Sequence, residues 1–344
     1  MRVGIIGGGF GLSVQAPIIM SHPEMELVAV CTMKRHVLPN ELVRMENAPN
    51  HYKVWTEMID KEKLDLLFVS SLPIYHFNMV KYALKKNIHI ICEKPFTMNS
   101  DESKELMRLT NLHNIKVLVD FEWRYLPIRQ KIKHFIKNNK IGKLLHIEYH
   151  VSSPQYEKLR LNKRGWMGQK EKFGGMLGAI GTHMIDCICW LTDSEMMYVN
   201  GMVHTHVPDG AGEKRDADDA FFVHGCMSSK TTFSIQLLSG IHHESSNKLK
   251  IYGSLGTLII ENDEKLYYGS INESLTEIQF EKLLSPPKYL SMEASAYYPA
   301  FYPFLNKAYE YFVSNKLDED LPTIHDGHKN QLIIDKVLSQ NVNK

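Results

Sequence analysis

Val3-Gly4-Ile5-Ile6-Gly7-Gly8-Gly9-Phe10-Gly11 opens the chain as an apolar run that breaks into a glycine-rich turn. The run Arg2–Ile6 reads as a buried strand, and a helical pattern over Val14–Ser21 follows the turn. Gly7 and Gly9 hold the first two positions of the G-x-G-x-x-G pattern. The first makes the tight turn, and the second lets a pyrophosphate approach the main chain. The third position holds Leu12, with Gly11 one place early. A glycine-rich turn alone is a weak signal, but between a strand and a helix it points to a dinucleotide, with Gly7, Gly9, Phe10 and Gly11 around it.

Outward from that turn, short apolar runs alternate with helical patterns. Strands are predicted at Leu27–Cys31, Leu64–Ser70, His89–Cys92 and Val117–Phe121, with helices at Val37–Arg44, Tyr75–Lys86 and Ser100–Asn114. In the last of these, Ser100 and Ser103 are the candidate caps. This alternation predicts an α/β domain with a doubly wound parallel sheet over residues 1–122. Residues 123–344 change character. Helices are predicted at Ile128–Asn138 and Thr182–Leu191. Strand-like runs fall at Leu144–Val151, Met197–Val203, Ala220–Cys226, Thr231–Leu238, Leu249–Tyr252, Thr257–Ile260 and Lys265–Tyr268. Two closing helices, Ala300–Val313 and Lys329–Gln340, would cover one face of that sheet. The second domain is therefore read as α+β with a large, mostly antiparallel open sheet.

The bulk numbers agree with two soluble domains. The chain has 344 residues, 44% hydrophobic and 23% charged, with a formal net charge of +1. So balanced a charge gives no case for nucleic acid or an anionic membrane as partner. No secretory leader or 18-residue apolar span is apparent. The five cysteines (Cys31, Cys92, Cys187, Cys189, Cys226) show no C-x-x-C spacing and fit a reducing cytoplasm. No His, Cys or carboxylate set has metal spacing, so no metal is expected.

Cofactor type is read from the end of the second strand, Cys31-Thr32-Met33-Lys34-Arg35. An NAD site places an acidic residue here to accept the ribose 2′-hydroxyl, and none is present. Thr32, Lys34 and Arg35 suit a 2′-phosphate instead. NADP(H) is expected, with NAD(H) as the alternative.

The candidate chemistry begins at Glu93-Lys94-Pro95, after the run His89–Cys92. A lysine there lies at the carboxyl edge of a parallel sheet, where ligands bind. A lysine after a strand is ordinarily a solvated loop residue, but an ammonium beside a carbinol oxygen stabilises developing alkoxide charge. A histidine serves the proton transfer, because imidazole titrates near neutrality. If Thr182 opens a helix, His183 sits in its first turn with Asp186 one turn on. Asp186 would orient the imidazole or simply favour the helix N-terminus. Trp166 is a candidate for stacking on a sugar ring, and packing is an equal reading. Lys158, Arg160, Lys163 and Arg164 are read as a solvated loop, with a grip on an acidic substrate as the alternative. Glu122, Arg124 and Tyr125 are expected to face the cleft between domains, with Arg124 as a substrate contact or an interdomain ion pair.

Together these motifs resemble the glucose–fructose oxidoreductase / inositol 2-dehydrogenase (Gfo/Idh/MocA) family over nearly the whole chain. The resemblance is carried by Gly7–Gly11, by Pro73-Ile74-Tyr75-His76, by Glu93-Lys94-Pro95, by Phe121-Glu122-Trp123-Arg124-Tyr125-Leu126-Pro127, by Ile141-Gly142-Lys143 and by Gly174–Asp186. It implies a Rossmann domain joined to an open-sheet substrate domain, with hydride transfer between a nicotinamide and a secondary alcohol of a sugar, inositol or polyol. By the same implication, Lys94 bonds the reacting oxygen, His183 exchanges its proton, and Pro73, His76 and Glu93 lie near the cofactor. Ala179 stands where many members have an Asp, which removes one substrate contact of the usual trio. A non-catalytic, cofactor-sensing regulator of the same fold is the alternative function. Apolar alternates in Phe221–Cys226 and Phe233–Leu238 suggest an apolar outer sheet face, and with it a homodimer or homotetramer.

Overall fold

The computed structural model describes residues 1–33, 35, 37–43, 48–244 and 246–341. The chain forms two compact units. One comprises Met1–Tyr125 with Leu283–His328, the other Leu126–Lys282 with Lys329–Lys344. The first boundary lies within three residues of the expected one. The return of Leu283–His328 to the first unit was not expected.

In the first unit, β1 (Arg2–Ile6), β2 (Glu26–Cys31), β3 (Asn50–Tyr52), β4 (Leu66–Val69), β5 (His89–Cys92) and β6 (Val117–Val119) make one parallel sheet of order β3-β2-β1-β4-β5-β6. Burial on both faces explains why these strands read as continuous apolar runs. Strand order reverses between β1 and β4, and the crevice beyond their carboxyl ends is where such sheets bind ligands. β3 escaped prediction because Asn-His-Tyr offers neither an apolar run nor alternation; pairing with Ala29, Val30 and Cys31 makes it a strand.

On one face, Val3, Ile5 and Phe68 pack in a single core with Phe301, Phe304 and Leu305. These last belong to the helix Met292–Ser314, which starts on a Ser291 cap accepting from the Ala294 amide at 3.1 Å. Its register contradicts the expectation that Ala300–Val313 covers the second sheet. The helix also starts eight residues earlier than expected, because Pro299 and Pro303 inside it mask its first turns. On the other face, Ile6, Leu67 and Val69 pack with Met79, Val80 and Ala83 of Pro73–Lys85 and with Leu106 and Leu109 of Ser100–His113. The cap of the latter helix is Asn99 rather than Ser100. Its side chain accepts from the Glu102 amide at 3.0 Å.

The second unit is built on an eight-stranded sheet. Its order is Thr276–Ile278, Lys265–Ser270, Gly256–Glu261, Lys248–Gly253, Leu144–Ser152, Thr232–Leu238, Ala220–Met227, Met196–His204. Every pairing is antiparallel except that of Leu144–Ser152 with Thr232–Leu238. The alternates Ile147, Tyr149, Phe221, Val223, Phe233, Ile235 and Leu237 are all buried. They face the helices: Arg129 of Pro127–Lys137 donates to the Tyr149 hydroxyl at 2.7 Å, and the Phe221 ring abuts Gly181. The opposite face carries His146, Glu148, His150, Thr232, Ser234, Gln236, Lys248 and Lys250, and in register with them Met202, Phe222, Tyr252, Ile259 and Tyr267. Pairs cross it between His146 and Thr232 at 2.8 Å and between Lys250 and Glu148 at 2.8 Å. The outer face is therefore mixed, with polar side chains on the central strands and Met202, Phe222, Tyr252, Ile259 and Tyr267 among them. Of the most apolar 18-residue stretch within Lys170–Thr192, 78% is buried, so its hydropathy serves this core.

Candidate active site

Within the first unit, the glycine turn is shaped by its neighbours. A Cβ at Gly7 would lie 2.3 Å from the Ser70 carbonyl oxygen, so the end of β4 leaves room for glycine only. A Cβ at Gly9 would meet nothing within 4 Å, which leaves open space over the turn. The Gly9 carbonyl accepts from Leu12 and Ser13 at 2.9 and 3.0 Å, starting a helical stretch that runs to Met20. Open backbone at a helix start is the arrangement a pyrophosphate requires. Gly11 fits closely, its Cβ position 3.0 Å from both Ile5 and Ser70, and Phe10 meets Tyr297 edge-on at 4.9 Å.

The residues read as choosing the cofactor divide. Thr32 is buried and its hydroxyl is engaged internally, donating to the Arg35 carbonyl at 2.7 Å with the His51 Nε2 at 2.7 Å. The Arg35 side chain is exposed. Lys34 lies outside the described residues. Lys53, just past β3, brings its ammonium to the Arg35 carbonyl and to His51. It is a cation beside the β2 end that sequence reading missed along with its strand.

Lys94 follows β5 in a turn whose Lys94–Pro95 peptide is cis, and it is partly buried. Its main-chain amide donates to Glu93 Oε2 at 3.2 Å. Glu93 Oε1 accepts from Gln15 Nε2 at 2.9 Å, and the same nitrogen donates to Asp120 Oδ2 at 2.9 Å. Ser70 Oγ donates to Gln15 Oε1. The glycine turn, whose helix carries Gln15, and the Lys94 turn are thus one hydrogen-bonded body. Burial raises the Glu93 carboxyl above its ordinary range, while the Lys94 charge pulls it down. Burial and the neighbouring Glu93 and Glu122 charges push Asp120 well above the carboxylate range.

His76 is fully buried, with Nδ1 3.0 Å from the Pro95 carbonyl and Nε2 3.0 Å from the Ser71 carbonyl. Desolvation lowers its pKa while the Ser71 and Pro95 carbonyls act the other way, and the ring sits between the Lys94-Pro95 turn and the start of Pro73–Lys85. Pro73 is buried at the first position of that helix. Arg124, expected at a cleft, forms an ion pair with Asp326 at 3.1 Å inside the first unit and donates to the Asp320 carbonyl. Its side chain is 4% exposed, a structural placement.

Within the second unit, His183 and Asp186 lie buried on the helix Thr182–Thr192, which continues a π-turn over Leu177–Gly181. The Thr182 hydroxyl donates to the Gly178 carbonyl at 2.9 Å, and Asn330 holds the Thr182 carbonyl at 2.7 Å. Asp218 caps the start, its Oδ2 accepting from the Met176 and Leu177 amides at 2.9 and 2.8 Å. Burial pushes the Asp218 carboxyl up to about 6, against the pull of those amides. Gly174 and Gly175 thread a narrow gap. A Cβ at Gly174 would sit 2.5 Å from the Trp166 carbonyl, and one at Gly175 would sit 2.1 Å from Asp218 Oδ1. The Trp166 loop and the His183 helix are therefore held together through two glycines. Trp166 is partly exposed; Lys158, Arg160 and Lys163 are exposed, as read, whereas Arg164 is half-buried with its guanidinium on Gln155 at 3.2 Å.

Comparison with known proteins bears on both units. Residues 1–121 match the oxidoreductase family with an NAD-binding Rossmann fold, and residues 129–259 match the GFO/IDH/MocA C-terminal domain. The chain belongs to the Gfo/Idh/MocA oxidoreductase family. An uncharacterized oxidoreductase of Synechocystis is 24% identical across 97% of this chain and 92% of its own length. The glucose-6-phosphate 3-dehydrogenase of Bacillus subtilis is 26% identical across 68% of this chain and 66% of its own. Among solved structures, a levoglucosan dehydrogenase in complex with NADH and levoglucosan superposes with a TM-score of 0.82 at 19% identity, covering 98% of this chain and 96% of that one. Family motifs pointed to Lys94 and His183 but not to the residues bonded around their turns. Gln15, Ser70, Asp120, Asp218 and Asn330 carry no motif of their own, and only the paired strand ends and helix starts bring them into place.

Proposed function

We propose that this chain is an NAD(P)-dependent dehydrogenase acting on a secondary alcohol of a sugar, polyol or sugar phosphate. The observation that carries the reading is the hydrogen-bonded link from the glycine turn through Gln15 and Glu93 to the Lys94 turn. It joins a dinucleotide seat to an ammonium within one rigid edge of a parallel sheet. The relatives named above support the substrate class. NADP(H) is the preferred cofactor in this reading, supported by Arg35 and Lys53 and by the lack of an acidic residue from Cys31 to Arg35.

The residues divide the work. The bare main chain of Gly7–Gly11 holds the pyrophosphate, and Arg35 with Lys53 holds the 2′-phosphate. A bound nicotinamide supplies the hydride acceptor in one direction and the donor in the other. Lys94 binds the reacting oxygen and stabilises the charge that develops there. His183 takes the hydroxyl proton in oxidation and returns it in reduction. Ala179 supplies no carboxylate, so in this reading Lys94 and His183 carry the chemistry without a third acidic group. Retention of both residues favours the enzyme over a cofactor-sensing regulator.

Absorbance screening of sugars, inositols and sugar phosphates with each cofactor tests the reading. Lys94→Ala and His183→Ala are expected to lower turnover on the substrate found by about 10²–10⁴ while NADPH affinity is retained. Near-normal turnover in either variant removes that residue from the mechanism, and a lack of turnover on every alcohol offered favours the regulator.

A further inference from the structure

Three successive strands of the first unit end in polar residues that converge on one side chain. Ser70 follows β4, Glu93 follows β5 and Asp120 follows β6, and all three bind Gln15, which is itself fully buried. The glutamine amide is used completely. Its oxygen accepts from Ser70, and its two hydrogens go one to each carboxyl group. Beyond that shared donor the two acids differ. Glu93 Oε2 accepts the Lys94 amide. Asp120 is 1% exposed, and its Oδ1 is buried with no hydrogen-bond partner among the described residues. One neutral amide cannot offset a buried Asp120 carboxylate beside the half-buried Glu93 carboxylate, and an ionised carboxylate with an orphaned buried oxygen is costly.

We propose that Asp120 and Glu93 share a single proton as an acid–carboxylate pair, and that this pair positions Lys94. Asp120, the more enclosed of the two and the one that also faces Glu122, carries the proton; Glu93 keeps the negative charge that faces Lys94. The other titratable groups around the pair are the Cys92 thiol on β5, whose pKa burial and these carboxyls raise, and the Tyr297 phenol of Met292–Ser314. Neither supplies a positive charge. With the proton in place, the Lys94 ammonium meets one neighbouring negative charge from the pair instead of two, and the Glu93 carboxylate stays fixed on the Lys94 amide. The positioning role rests on the proposed part of Lys94 in catalysis; the shared proton does not.

The sign of the linkage follows from the raised acid. An ordinary aspartate in the unfolded chain loses its proton near pH 4, whereas the native pair holds one well above that. Folding stability therefore falls as pH rises from the ordinary carboxylate range until the native pair ionises. Denaturant unfolding of the cofactor-free full chain across that range tests this, with Asp120→Asn and Glu93→Gln as variants. Asn keeps the acceptor for Gln15 and offers Glu93 an amide donor. Each variant is expected to reduce the slope of stability against pH by about one proton. The wild type should also show an infrared carbonyl band of a neutral carboxyl group at neutral pH, lost in Asp120→Asn. An unchanged slope in both variants, or no such band in the wild type, overturns the shared proton. If Asp120→Asn is poorly folded, the band and the Glu93→Gln slope still decide. For the positioning role, Asp120→Asn should shift the pH profile of turnover while the KM for the cofactor stays put. A pH profile that does not move, with the slope and band behaving as expected, overturns positioning and leaves the proton.

Discussion

Gly175 adopts φ +104°, and a methyl group there would sit 2.1 Å from Asp218 Oδ1. Gly165, also at positive φ, has open space around it. The pair separates backbone strain from crowding. Gly165→Ala should cost about 1–2 kcal/mol, the left-handed penalty alone. Gly175→Ala should cost roughly 3 kcal/mol or more, because strain adds to the loss of the Asp218 cap. Urea unfolding of the two variants checks this, and equal losses would mean that Asp218 moves aside freely. Sequence reading found the glycine-rich run but not why each glycine is there. The reasons are distant main-chain and carboxylate atoms that only folding brings near. The same holds for His76 and Thr32. Their types and positions fit a cofactor site, yet their polar atoms are spent on backbone carbonyls, on Ser71 and Pro95 for His76 and on Arg35 for Thr32.

At the scale of elements, β3 changes the account of cofactor choice. Its three residues pair with β2 and deliver Lys53 beside Arg35, so the 2′-phosphate reading rests on an exposed arginine and a lysine from another strand. Arg35→Ala should weaken NADPH by about tenfold, the order of one charge-assisted hydrogen bond, and leave NADH nearly unchanged. Lys53→Ala should act in the same direction. Fluorescence titration with both cofactors decides: equal losses for the two, or tighter NADH binding by the wild type, would end the NADP assignment. Long periodic elements such as Pro73–Lys85 and Ser100–His113 were legible because one apolar face repeats over several turns. The short strand Asn50–Tyr52 and the helix Tyr156–Leu161 were not, since neither carries enough apolar residues to set a period.

At the scale of the molecule, the chain leaves the first unit at Tyr125 and returns to it at Leu283. Val3, Ile5 and Phe68 need Phe301, Phe304 and Leu305 to be covered. A fragment of residues 1–125 should therefore expose one sheet face and fail to fold, whereas residues 1–125 joined by a flexible linker to 283–328 should give a monomeric, cooperatively unfolding domain that binds NADPH. Circular dichroism and cofactor titration of the two fragments check the expectation; a stable 1–125 fragment would show that the helix Met292–Ser314 is dispensable. Of the two closing helices read as cover for the second sheet, Lys329–Gln340 lies against it, with Val337 beside Gly201, whereas Ala300–Val313 does not, because an amphipathic helix announces that it must bury a face, not which sheet will receive it.

The sequence by itself determined the parallel sheet followed by a mostly antiparallel one, the glycine turn, and the placing of Lys94 after a strand and of His183 on a helix. All of these are encoded locally, as strand periods, turn residues and motifs in a fixed order. The tertiary structure decided which sheet each closing helix serves, that the apolar alternates of Phe221–Cys226 and Phe233–Leu238 point inward, and that Gln15 gathers Ser70, Glu93 and Asp120 at three strand ends. The Gln15 cluster joins residues 105 positions apart, and the closing helix packs on strands that lie further from it still in the chain. Alternation along a strand gives two faces without saying which is covered, and a buried polar group finds its partner only when the strands that carry it are side by side.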